Sequence, residues 1–151
     1  DDGGALYLDD CELEVTGSAL ISGNEARDHG GAIFLVDSAI VLSGAASFDS
    51  NFCGDEGGAM HVVDSALEVV ESVTFRWNWA NDDGGAIQVE YSSFSIQGNV
   101  LFDGNGCWDD GSAVNIDECD LVTIQGPVLF RGGWSEDGAV VIDATGMWVS
   151  E

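Results

Sequence analysis

Apolar side chains alternate with small or polar ones in short bursts along this chain. Ile33 and Leu35 flank Phe34, Ile40 and Leu42 flank Val41, and Ala46 and Phe48 flank Ser47. The same alternation returns in the next repeat with Met60, Val62, Leu67, Val69, Val73 and Phe75, and in the one after with Ile87, Val89, Phe94, Ile96, Val100 and Phe102. A period of two marks strands whose successive side chains face opposite ways. Asp-Ser or glycine-containing corners separate the bursts and leave no room for a helix. The pattern predicts three short strands per repeat, with His61, Gln88, Glu68 and Ser95 in columns facing water.

Two motifs fix the interval. Gly3-Gly4-Ala5-Leu6, Gly30-Gly31-Ala32-Ile33, Gly57-Gly58-Ala59-Met60, Gly84-Gly85-Ala86-Ile87 and Gly111-Ser112-Ala113-Val114 place their alanines at a constant spacing. Phe48-Asp49-Ser50-Asn51, Phe75-Arg76-Trp77-Asn78 and Phe102-Asp103-Gly104-Asn105 recur in step. One repeat is then one turn of a solenoid. The expected architecture is all-β, a parallel β-helix of about 27 residues per turn and five to six turns, right-handed by the usual chirality of parallel crossovers. Rungs spaced by about 4.8 Å would stack the Phe column and let Asn24, Asn51, Asn78 and Asn105 form an amide ladder. Glycine at the corner admits positive φ and close backbone approach, which the following alanine leaves unobstructed.

The paired GGA-hydrophobe and FxxN motifs resemble the polymorphic outer-membrane protein repeats of chlamydial autotransporters, also present in large surface proteins of algae and other protists. The resemblance spans nearly the whole chain and implies β-helical repeats in a passenger-type adhesin or surface protein. The chain departs from that pattern at Ile21, which stands where Phe is expected, at Gly133, which stands for Asn, and at Asp137, which stands for the first Gly. The last turns also slip, since the step from Phe102 to Phe130 exceeds the regular interval by one and that from Ala113 to Ala139 falls short of it by one.

Asp1 lies in a loop before a GGA motif and Glu151 stops inside an expected strand, so residues 1–151 read as one uncapped segment of a longer chain. No apolar run is long enough to span a bilayer. The formal charge is −25, with 28 Asp and Glu against three Lys and Arg, all of them arginine. Nucleic acid is a poor partner for such a surface, because phosphate binding needs clustered cations. The charge fits an extracellular or cell-surface protein kept soluble by its acidic face.

The acids also form columns. Asp1, Asp28, Asp55, Asp82 and Asp109 recur at the repeat interval, next to Asp2, His29, Glu56, Asp83 and Asp110. Carboxylates one rung apart repel by about 1 kcal/mol per pair even in water. Calcium, which takes Asp oxygens and loop carbonyls, would relieve that, and the expected ligands are Asp28, Asp55, Asp82, Asp83, Asp109 and Asp110. A column reading Ser22, Asp49, Arg76, Asp103, Arg131 predicts an ion-pair ladder. Arg27 and His29 read as ordinary loop residues. Cys53 and Cys107 share a column two turns apart, as Cys11 and Cys119 do four turns apart, too far to bridge within the chain. In an oxidising compartment they would pair with another segment or subunit.

Phe52, Trp77, Trp79, Trp108 and Trp134 are the candidate recognition residues, since aromatics beside carboxylates can stack on sugar rings or bury against a neighbouring copy. Two function classes remain. One is a non-catalytic structural or adhesive module that attaches to glycans, surface proteins or copies of itself. The other is a polysaccharide lyase or glycoside hydrolase of the β-helix type, for which stacked acids would supply carboxylate pairs. A catalytic turn should break the repeat with one long loop and singular residues, and the turns here are nearly equal in length. The sequence therefore points to the non-enzymatic module.

Overall fold

The computed structural model describes residues 1–144 and 146–149, and it is a parallel β-solenoid of about five turns with no helix among those residues. One full turn comprises the strands Ile33–Val36, Ala39–Leu42, Ala46–Asp49 and Phe52–Cys53. Equivalent strands of successive turns pair in parallel and build four sheets. The first runs from Leu6–Asp9 to Val140–Ala144, the second from Glu12–Val15 to Met147–Val149, and the third from Ala19–Ser22 to Val128–Arg131. The fourth contains Glu25–Ala26, Phe52–Cys53 and Trp79–Ala80. This fourth strand adds to the three read from the sequence; it is too short to show an alternation.

Pairing follows the repeat residue by residue, as in Ile33 with Met60 and Met60 with Ile87. The alternating apolar residues point inward to one continuous core that includes Ile33, Leu35, Ile40, Leu42, Met60, Leu67, Ile87 and Ile96. Phe48, Phe75 and Phe102 stack through it with centroids 4.9 and 5.1 Å apart, and the exposed Phe130 continues the column on Phe102 at 5.2 Å, all with planes within 10° of parallel. A second, smaller core of Ala26, Cys53, Ala80 and Cys107 lies behind the fourth sheet. Cys53 and Cys107 occupy alternate rungs of that column, and all four cysteines are free thiols. Burial pushes the Cys53 thiol up to about 12 and the Cys107 thiol up to about 11, so both behave as small apolar fillers rather than nucleophiles.

Three left-handed corners bend each turn. One is the first glycine of the GGA motif, with Gly57 at φ 72° and Gly84 at φ 60°. The second is Asp10, Asp37, Asp64, Tyr91 and Glu118, with φ between 47° and 51°. The third is Gly23, Ser50, Trp77, Gly104 and Gly132. After each of the last two corners a side chain satisfies backbone groups that the bend leaves unpaired. Past the second corner, the N–H of Cys11, Ser38 and Ser65 donates to the Ser38, Ser65 and Ser92 hydroxyl oxygens at 3.0, 2.9 and 2.8 Å. The Ser65 and Ser92 hydroxyls donate to the Val63 and Glu90 carbonyls, each at 2.6 Å. Cys11 and Cys119 end this serine column, and their thiols make the same contact to the Asp9 and Asp117 carbonyl oxygens. Past the third corner stands the asparagine ladder, where Nδ2 of Asn24, Asn51 and Asn78 donates to Oδ1 of the next Asn, each at 2.9 Å.

The slip near the end has a definite place. Cys119 stands one regular interval after Ser92 and its thiol makes the same contact two residues back, to the Asp117 carbonyl, whereas Ser93 pairs with Leu121, one position further on, so Asp120 is the inserted residue at that corner. The loop before Gly138 then shortens, and Val114 pairs with Val140, one position short of the repeat.

Candidate functional site

The loops that carry the acidic columns join the fourth strand of one turn to the first strand of the next. They fold back over the outer face of the first sheet, which overturns one expectation. His61 and Gln88 point outward as their positions require, yet both are buried, at 3% and 2% exposure, rather than wet. His29 from the preceding loop meets the His61 ring with centroids 5.0 Å apart, and Phe34 packs against both histidines, 5.4 Å from His61 and 6.0 Å from His29. Strand alternation reports which face a residue takes, not what covers that face.

This fold-back brings the chain's two histidines together with four carboxylates. His29 Nδ1 lies 3.0 Å from Asp2 Oδ1, and His29 Nε2 lies 3.3 Å from Asp55 Oδ2. His61 Nε2 lies 3.3 Å from Glu90 Oε1 and 3.8 Å from Glu56 Oε2. Burial, and then the Glu90 charge beside it, push the Glu56 carboxyl well above the usual carboxylate range. His61 holds Glu90 on the opposite side of that range. His29, expected to be an ordinary loop residue, is instead part of this cluster. The signal that could have found it is the pairing of the only two histidines in adjacent repeats.

The six acids expected to hold an ion divide. Asp82, Asp83 and Asp109 bring ligand oxygens within 4.8 Å of one another, and so do Asp109, Asp110 and Asp137. Asp109 belongs to both triads, and Asp137, the residue that replaces a GGA glycine, completes the second. Burial raises the pKa of Asp82, Asp83 and Asp110, with neighbouring Asp charges adding to it. The Asp110 N–H donates to Asp83 Oδ1 at 2.7 Å. Asp28 and Asp55 stand apart from these triads. Asp28 accepts from the N-terminal ammonium at 2.6 Å, which lowers its pKa, and Asp55 faces His29.

The aromatic residues divide as well. Trp79, Trp108 and Trp134 form one cluster, in which Trp79 and Trp134 stack at 6.1 Å with planes 8° apart and the Trp108 edge meets both. They stack across two rungs because Gly106 pairs between them without a side chain. A Cβ there would come within 2.5 Å of the Trp79 ring. Phe52 continues the column one rung from Trp79. Trp77 lies elsewhere, exposed at its left-handed corner with its ring over Gly104. In the charged column Arg76 is in register between Asp49 and Asp103, and its Nε lies 3.6 Å from Asp103 Oδ2.

No family model, curated protein or solved structure matches this chain. No described helix is long and apolar enough to cross a membrane.

Proposed function

We propose that the chain is a non-catalytic structural or adhesive β-solenoid module of an extracellular or cell surface. The observation that carries this reading is the repetition of the surface itself. One groove is lined by Asp10, Asp37 and Asp64 with the Cys11, Ser38 and Ser65 column beside them, and another by Val73, Val100, Thr74 and Leu101. Each is the same corner or face seen on successive turns, whereas a substrate cleft needs singular residues converging on one ligand. A rod with such a surface offers many equivalent weak contacts, whose sum gives attachment through effective concentration. The motif resemblance to outer-membrane repeat proteins points the same way, and the exposed Trp108 and Trp134 beside acidic loops suit glycan or protein contact.

Incubation with pectic and other acidic polysaccharides, followed by product analysis, should leave chain length unchanged, while retention on the same polysaccharides in an affinity column should fall when Trp108 and Trp134 are replaced by alanine. Shortened or unsaturated products would overturn the non-enzymatic reading.

Calcium belongs to the same proposal, at the two triads that share Asp109. Extracellular modules bind Ca²⁺ in the range of about 10⁻⁴–10⁻³ M. At ten times Kd a single ion adds about 1.4 kcal/mol, which raises the Tm of a chain this long by about 3–5 °C. Asp109→Asn, which weakens both triads, should remove most of that rise. Equal melting temperatures in Ca²⁺ and in chelator would defeat the calcium assignment.

A further inference from the structure

The geometry points to a second kind of metal site, separate from the acidic triads, in which His61, His29 and Glu56 bind a divalent cation of the Zn²⁺ class and Glu90 supplies a further carboxylate. The ligand atoms of His29, Glu56 and His61 already lie within 4.8 Å of one another, across two turns and two loops. The independent observation is His61 itself. Its ring is 3% exposed, and neither Nδ1 nor Nε2 has a well-formed hydrogen bond. Gln88 Oε1, in the same outer column, is also buried without one.

Nε2 of this buried ring faces Glu90 Oε1 at 3.3 Å and Glu56 Oε2 at 3.8 Å without a hydrogen bond to either. A cation at Nε2 takes the lone pair and offsets both carboxylates at once.

The donor set selects the ion. Two imidazoles and carboxylate oxygens suit Zn²⁺ and its late first-row neighbours, whereas Ca²⁺ prefers oxygen alone. The surroundings fit a ligating histidine. Asp2 and Asp55 flank the two nitrogens of His29 at 3.0 and 3.3 Å, so whichever nitrogen binds the ion, the other keeps a carboxylate to orient it. Phe34 closes one side of the His61 ring, and the partly exposed His29 gives the ion a way in. An ion held there would tie the second turn to the third.

The test uses the whole chain, freed of metal by chelation and kept in excess Ca²⁺ so that the acidic triads are occupied. Titration with ZnCl2 should then give one tight site per chain, and Co²⁺ in its place should show the visible bands of a low-symmetry nitrogen-oxygen site. His29→Gln and Glu56→Gln are chosen because both positions lie in loops. Each should weaken Zn²⁺ at least about tenfold while leaving the far-ultraviolet circular dichroism unchanged. Asp109→Asn should bind Zn²⁺ as the parent does. Zn²⁺ affinity that is unchanged in His29→Gln and Glu56→Gln, or lost only in Asp109→Asn, would overturn the site, as would the absence of any Zn²⁺ binding to the parent chain.

Discussion

Asn78→Ala is expected to cost about 3–5 kcal/mol, a large part of the margin of any domain, and to lower the Tm by about 10 °C or more. Asn78 sits mid-ladder at 1% exposure. Its Oδ1 accepts from the Asn51 N–H at 3.0 Å and from Asn51 Nδ2 at 2.9 Å. Its Nδ2 donates to the Phe48 carbonyl at 3.1 Å and to Asn105 Oδ1 at 2.9 Å. Alanine leaves the Asn51 N–H buried with no acceptor, which costs about 1–3 kcal/mol, and strips one partner each from three other groups at about 1 kcal/mol or less apiece. Asn99→Ala, at an exposed position, is the matched control and should change stability by no more than about 0.5 kcal/mol. Thermal denaturation of the two variants beside the parent decides the matter, and equal melting temperatures would show that the ladder is decorative.

The ladder was legible in the sequence because a solenoid converts an interval along the chain into a neighbour in space. The Phe stack, the strand registers and the ion pair of Arg76 with Asp103 were legible for the same reason. What the sequence left hidden lies between columns. The fourth strand, the serine column that ends in Cys11 and Cys119, and the burial of His61 and Gln88 all depend on how a loop from one column lies against another. That arrangement is set by three-dimensional loop conformation, about which an interval along the chain says nothing. The Asp column shows the limit from the other side. Its members are equivalent along the chain, but Asp55 meets His29, whereas Asp82 and Asp109 meet other aspartates. Repetition fixes where a residue stands, and the neighbouring columns decide its chemistry. Trp79 and Trp134 likewise come together because Gly106, an exception in its column, vacates the rung between them.

Gly58→Ala should be as damaging as the loss of the ladder, for an opposite reason. The second glycine of the GGA motif faces the next turn, and its N–H donates to the Gly84 carbonyl at 3.0 Å. A methyl group there would collide with the Gly85 carbonyl oxygen and come within 2.6 Å of the Trp79 carbonyl carbon. Both obstacles are backbone, so no rotamer change relieves them. Gly31 and Gly85 meet the same obstacle one rung away, which means that the turns cannot simply slide to make room. Overpacking of this kind costs about 3 kcal/mol or more when the surroundings cannot yield, a drop in Tm of about 6–12 °C. Gly17 supplies the contrast, since a Cβ there meets nothing within 4 Å and its φ lies outside the left-handed range. Gly17→Ala should therefore be neutral or slightly stabilising through the lower entropy of the unfolded chain. If calorimetry found Gly58→Ala as stable as Gly17→Ala, the spacing between turns would be set by something other than the backbone contact at this corner. The same contact explains why Ser112 is tolerated in place of the second glycine in the fifth turn. The repeat there shortens by one position between Val114 and Val140, and Ser112 donates its N–H to the Gly138 carbonyl at 3.0 Å. Gly133 offers no side chain against the Ser112 Cβ, 3.6 Å from where its own Cβ would stand.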